Sequence, residues 1–76
     1  MAIKIYSTPT CPWCKKAKEF FKENNLEYTD VDVTTDEAGK KEMIDKSGQM
    51  GVPVIDINGT IIVGFDVEKI KAILKL

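Results

Sequence analysis

The apolar positions along this chain change period several times, and each change marks an element. Ala2–Tyr6 alternates, which places Ile3 and Ile5 on one face of a predicted strand. Beyond the loop Ser7-Thr8-Pro9-Thr10 the period becomes helical. Cys14, Ala17, Phe20 and Phe21 share one face, and Lys15, Lys16, Lys18, Glu19, Lys22 and Glu23 fill the other. Pro12 stands in the first turn, where the missing N–H costs nothing, and Asn24-Asn25 ends the helix. Leu26–Val33 reads as a second strand, with a shift of phase between Tyr28 and Val31. Thr34-Thr35-Asp36-Glu37 fits a capping box with Thr34 at the cap, opening a helix that runs to about Ser47 and stops at Gly48. Its apolar stripe is thin: Ala38, Met43 and Ile44. Val54–Ile57 and Thr60–Val63 flank Asn58-Gly59, a strong hairpin signal. Asp66 can cap a last helix that turns Val67, Ile70, Ile73 and Leu74 inward.

The order β-α-β-α-β-β-α predicts an α/β fold. Its first two strands, joined by a helix, are expected to be parallel, and its last two antiparallel. With 76 residues, 43% of them hydrophobic, the chain is expected to form one domain over residues 1–76. Eleven lysines against twelve Asp and Glu leave a net charge of −1, which argues against a nucleic-acid partner. There is no Arg, hence no guanidinium fork for phosphate, and no His, hence no His-dependent triad. No apolar run approaches the roughly 20 residues that span a bilayer. The N-terminus alternates instead of forming a signal-peptide block, so a cytoplasmic protein without a membrane partner is expected. Residues 23–39 hold six acids and no base, so positive charge lies toward the cysteine helix.

Chemistry concentrates in Cys11-Pro12-Trp13-Cys14. Two thiols separated by two residues, at the start of a helix that follows a strand, form a redox motif. The unpaired N–H groups and positive dipole end of the helix stabilise a thiolate at Cys11. Lys15, four residues on, adds positive charge to the same face. Cys14 sits nearly one turn inside, less exposed and within reach of Cys11. Cys11 is thus expected to attack and Cys14 to resolve. Three plainer readings compete. A structural disulfide closing so short a loop gains only about 2 kcal/mol, and the cytosol would keep it reduced. A zinc site needs about four ligands, and the chain has two Cys and no His, so only a metal or cluster shared between chains would fit. Two inert core thiols fit poorly with an intervening Pro-Trp at a helix start.

Two further segments carry weaker signals. Pro53 in Val52-Pro53-Val54 follows the Gly51 turn, and by itself reads as a strand-start proline. Gly64-Phe65-Asp66 alone reads as a turn and a helix cap. Trp13, between the thiols, is expected to be an exposed ring for partner contact.

Taken together, in this order and spacing, Cys11-Pro12-Trp13-Cys14, Gly51-Val52-Pro53 and Val63-Gly64-Phe65-Asp66 resemble the glutaredoxins and glutaredoxin-like redoxins of bacteria and archaea, over essentially all 76 residues. The resemblance implies a thioredoxin fold with a four-stranded mixed sheet and helices on both faces. It also implies a cis bond before Pro53 facing the cysteines. It further implies a groove for glutathione as co-substrate, with no bound prosthetic group. There the Val52 backbone would pair with the tripeptide like an added strand, and Gly64, Phe65 and Asp66 would hold its γ-glutamyl end. Pro12, Trp13, Lys15 and Thr8 would complete the surroundings. Many glutathione-using members carry Lys where this chain has Thr8, and a Gly-Gly pair where it has Val63-Gly64. A Gly-Phe pair resembles redoxins that thioredoxin reductase reduces and that pass electrons to ribonucleotide reductase. The expected protein is therefore a monomeric dithiol oxidoreductase acting on disulfide-containing proteins, with glutathione or thioredoxin reductase as electron donor.

Overall fold

A computed structural model describes residues 2–76. Its elements are β1 (Ile3–Ser7), α1 (Pro12–Glu23), β2 (Thr29–Asp32), α2 (Glu37–Ser47), β3 (Val54–Ile57), β4 (Thr60–Val63) and α3 (Val67–Leu74). The strands form one sheet in the order β2-β1-β3-β4. The β1–β2 pair is parallel, as a helical crossover requires, while β1–β3 and β3–β4 are antiparallel. At the β3–β4 turn Asn58 (φ 50°) and Gly59 (φ 94°) both take the left-handed conformation that a two-residue hairpin demands.

The alternation of each strand sorts the core into two layers. Ile3 and Ile5 of β1, Ile55 and Ile57 of β3 and Ile62 of β4 point to the face covered by α1, through Ala17 and Phe21, and by α3, through Ile70. Tyr6, Val54 and Val33 point to the opposite face, where Met43 of α2 covers them. Helices thus lie on both faces, and removing these side chains from water drives the assembly at roughly 25 cal/mol per Å² of apolar surface.

The second strand is shorter than the pattern suggested, four residues instead of eight. The phase shift has a physical cause. Tyr28 packs with the α1/α3 layer, whereas Val31 and Val33 pack with the α2 layer, so the chain presents opposite faces on either side of residue 29. The first strand runs one residue further than expected and ends on Ser7. Ser7 is a buried polar residue whose hydroxyl donates to Asp30 Oδ1 at 2.6 Å. Asp30 Oδ2 also meets Lys18 Nζ at 2.8 Å, which ties α1 to the edge strand.

The capping box centred on Thr34 is not what starts α2. Asp36 is the cap, its Oδ1 accepting from Gly39 N–H at 2.8 Å, and Thr34 turns back to Asp32 Oδ1. A carboxylate two residues upstream holds Thr34 before it can serve the helix. Ala38, assigned to the apolar stripe, is exposed, and buried Gly39 replaces it. A Cβ on Gly39 would lie 2.4 Å from Val31 Cγ1, so α2 lies against β2 more closely than a side chain permits.

The polar edge of the α2 layer is a network that sequence reading missed. Glu42 Oε1 accepts from Lys4 Nζ at 3.0 Å, from Lys46 Nζ at 3.2 Å and from the Tyr6 hydroxyl. Lys46 Nζ also reaches Asp56 Oδ2 at 2.7 Å. Three donors hold the Glu42 carboxyl down to about 2, the Tyr6 hydroxyl contributing most. Lys46 is raised, first by its bond to Asp56. Burial pushes Asp56 up, but the Lys46 ammonium and the Gly59 N–H outweigh it and hold the carboxyl below its ordinary range. The only sequence signal for this network was the i, i+4 pairing of Glu42 with Lys46.

Candidate active site

The site lies where β1 hands over to α1. Cys11 has extended backbone angles (φ −87°, ψ 111°) and is the N-cap of α1. Pro12 follows at the first helical position, exposed to solvent. Cys14 N–H donates to Cys11 Sγ at 3.1 Å, so the sulfur occupies the place that a serine or aspartate oxygen takes in an ordinary cap. No acid stands in the first turn to compete for the positive helix end. A disulfide joins Cys11 to Cys14 across 5.3 Å between Cα atoms. Cys14 is buried at 1% exposure and Cys11 is partly exposed. Of the two cysteines, Cys11 is therefore the more accessible.

Two other segments converge on this point. The Val52–Pro53 peptide is cis. Pro53 C=O accepts from Gly64 N–H at 2.8 Å, which fastens the loop before β3 to the loop before α3. The Phe65 ring rests edge-on against Phe20 of α1, with centroids 5.9 Å apart. Trp13, Val52, Pro53, Gly64 and Phe65 together line a groove of about 290 Å³. Trp13 is 57% exposed, with Lys16 Nζ over its ring at 4.5 Å from the centroid. Among the described residues, neither the N–H nor the C=O of Val52 has a hydrogen-bond partner. This leaves an unpaired N–H and C=O on the groove wall, next to the dithiol.

The remaining site candidates stand around the groove instead of lining it. Thr8 precedes the motif and its C=O accepts from Cys11 N–H at 3.3 Å, so it shapes the turn into α1. Lys15 is exposed on the first turn. Asp66 caps α3, with Oδ1 accepting from Lys69 N–H at 3.2 Å. The groove lining carries no charged residue. A larger hollow of about 480 Å³ lies at the opposite end of the sheet, around Ala2, Lys4, Asp56 and Asn58, and contains no part of the dithiol. The chemistry, not the volume, decides which one is the site. Among the described residues no group of three or more Cys, Asp or Glu side chains is placed to hold a metal ion. No helix among them is long and apolar enough to cross a membrane.

A redox-active cysteine pair at the first helix of a four-stranded mixed sheet, facing a cis-proline loop, defines a redox protein of the thioredoxin fold. The relatives carry the assignment further. The glutaredoxin family model matches residues 3–62, and the chain belongs to the glutaredoxin family. It is 53% identical over 73 residues to a glutaredoxin-like 8.6 kDa protein of the rubredoxin operon in Clostridium pasteurianum, covering 96% of this chain and 97% of that one. It is 33% identical to glutaredoxin 3 of Escherichia coli strain K12, covering 84% of this chain and 77% of that one. Among solved structures, glutaredoxin from Archaeoglobus fulgidus superposes with a TM-score of 0.83 at 28% identity, covering 100% of this chain and 89% of that one. A variant of a thioredoxin-like protein does so with a TM-score of 0.90 at 34% identity, covering 96% and 94%.

Proposed function

We propose that this protein reduces protein disulfides and glutathione mixed disulfides by dithiol exchange, with Cys11 as nucleophile and Cys14 as resolving thiol. The observation that carries the reading is the Cys11 sulfur at the α1 N-cap, accepting the Cys14 N–H, with Cys14 buried behind it. In the reduced protein the same N–H and the helix end favour a thiolate on Cys11. That thiolate attacks one sulfur of the substrate disulfide. A Cys11–substrate bond forms, and the other substrate sulfur leaves as a thiolate that takes up a proton. Cys14, deprotonated, then attacks Cys11 Sγ. The mixed disulfide breaks, the second substrate thiol departs, and the Cys11–Cys14 disulfide holds the two electrons' worth of oxidation.

The Val52 backbone supports a peptidic substrate, because a chain laid along it gains hydrogen bonds that the sheet leaves unmade. Glutathione is the co-substrate in this reading. One glutathione opens the Cys11–Cys14 disulfide, a second releases the mixed disulfide as glutathione disulfide, and no bound cofactor takes part. A solved buckwheat glutaredoxin–glutathione complex has the same fold.

A second donor is favoured by one observation. The groove lining has no charged residue, and the loop before the cysteine motif offers the neutral Thr8 and no cation. A flavoprotein such as thioredoxin reductase needs no such cation. An NADPH-coupled assay separates the two, with glutathione and glutathione reductase in one cuvette and thioredoxin reductase in the other. Turnover in the first at millimolar glutathione supports the proposal, and turnover in the second alone replaces glutathione with a reductase. The dithiol potential is an independent check. A value near −200 to −230 mV suits glutathione, and one near −270 mV suits the reductase. No turnover in either cuvette, with a Cys11 that reacts with no disulfide, would sink the whole reading.

A further inference from the structure

The segment between α2 and β3 has no regular structure of its own, yet it delivers the unpaired Val52 backbone to the groove wall. A side chain holds it in place. Gln49 Oε1 accepts from Gly51 N–H at 2.5 Å, and Gln49 Nε2 donates to Gly51 C=O at 3.0 Å. One carboxamide thus engages both polar groups of the residue before Val52. The donor and acceptor on Gly51 also fix which end of the carboxamide is which. The clasp is anchored to α2. Gln49 Nε2 lies 3.3 Å from Ser47 Oγ, and the Ser47 hydroxyl is within hydrogen-bond distance of Met43 C=O (2.7 Å) and Gln49 C=O (3.0 Å). The approach to Gly51 is close. A Cβ there would meet Gln49 Oε1 at 2.7 Å, the tip of a flexible side chain, so any larger residue would push the carboxamide away.

We propose that Gln49 is a positioning residue for disulfide exchange: it clamps Gly51 so that the Val52 N–H and C=O stand fixed, facing a peptidic disulfide substrate. The inference rests on the dithiol-exchange reading and adds to it the residue that orders the peptide-binding edge. Neighbouring Met50 is 64% exposed and does not anchor the segment. Without the clasp, residues 49–52 would have to be ordered each time a substrate strand paired with them, and that entropy would come out of binding. Cys11 lies on another element, so its reactivity is independent of the clasp.

The test compares two disulfides with the reduced protein. One is a glutathionylated peptide, which can pair with Val52. The other is 4,4′-dithiodipyridine, which has no peptide group. Gln49→Ala should raise KM for the peptide disulfide about five-fold, the size of one lost hydrogen bond, with kcat and the dithiodipyridine rate unchanged. Gly51→Ala, which displaces the carboxamide, should have a similar effect. The double variant should be little worse than either single one, because both undo the same contact. Gln49→Glu keeps the acceptor for Gly51 N–H and loses the donor, so it should fall between. A purely structural role would slow both disulfides together, and no change in KM for the peptide would mean the clasp positions nothing. Either result overturns the inference while the wild-type activity leaves the exchange reading intact. Wild-type protein inert toward both disulfides overturns the exchange reading, and the inference falls with it.

Discussion

At the scale of single residues, the two cysteines differ in position before they differ in chemistry. Cys11 caps a helix and is partly exposed, while Cys14 lies buried inside the first turn. The Cys11 thiol in the reduced protein should therefore titrate well below the free value of about 8.5, measurable from thiolate absorbance in a Cys14→Ser variant. Cys11→Ser should abolish disulfide reduction. Cys14→Ser should spare reactions in which external glutathione completes the exchange and block those that end in the internal disulfide. Retained activity in Cys11→Ser with loss in Cys14→Ser would reverse the roles. Thr8 offers the complementary gain-of-function test. Its carbonyl holds the turn into α1, but its side chain brings no charge to the groove. An exposed ion pair contributes roughly 0–1 kcal/mol, so Thr8→Lys should tighten glutathione binding by no more than about five-fold. The gain should appear in KM and shrink as salt is added.

Among the elements, α2 separates propensity from packing most sharply. Gly39 lies inside this helix, where exchanging Gly for Ala ordinarily stabilises by up to about 1 kcal/mol. Here the added methyl would run into Val31 Cγ1 at 2.4 Å. Gly39→Ala is accordingly expected to destabilise by about 1–3 kcal/mol, because either α2 or β2 must shift. A urea midpoint that rises would show that the two elements can part at little cost. The start of the same helix gives a paired test. Asp36→Ala should cost about 1 kcal/mol as the N-cap is lost, whereas Thr34→Ala, outside the cap, should cost less. Equal losses would mean that the Thr34 turn and the helix start form one unit.

For the whole molecule, the consequence of the polar network is a defined acid sensitivity. Lys4 and Tyr6 of β1, Glu42 and Lys46 of α2 and Asp56 of β3 join helix to sheet on the face away from the dithiol. Glu42 ionises at about 2 in the folded protein against 4.5 for a free glutamate. A carboxyl depressed in this way contributes stability that is complete above about 4.5 and is lost as the pH falls toward 2. Thermal unfolding followed by circular dichroism should show the midpoint dropping across that window. Glu42→Gln should lower the midpoint at pH 7 and flatten the drop. An unchanged acid slope in the variant would place the sensitivity elsewhere. The network lies on the opposite layer from the α1 N-terminus, so dithiol exchange at neutral pH should survive the substitution.

Much of this was legible in the order of residues. The hairpin ranges, the α3 cap at Asp66, the lysine face of α1 and the cysteine helix start all follow from local rules: turn chemistry at Asn58-Gly59, capping at Asp66, a 3.6-residue period, and proline at the first helical turn. These depend on neighbours in sequence, so sequence suffices to specify them. The second strand and the second helix were read less well. Their faces and caps depend on partners far along the chain: Tyr28 and Val31 serve opposite layers, and Asp32 draws Thr34 away from the helix. Within the site, the motif itself marked the cysteines. What only the tertiary structure decided is which groups surround them. The Val52 backbone is left unpaired because β3 begins two residues later, and the Phe65 ring rests on Phe20 because α1 and α3 share one layer. Both depend on segments that only the folded sheet brings together, and no local period encodes them.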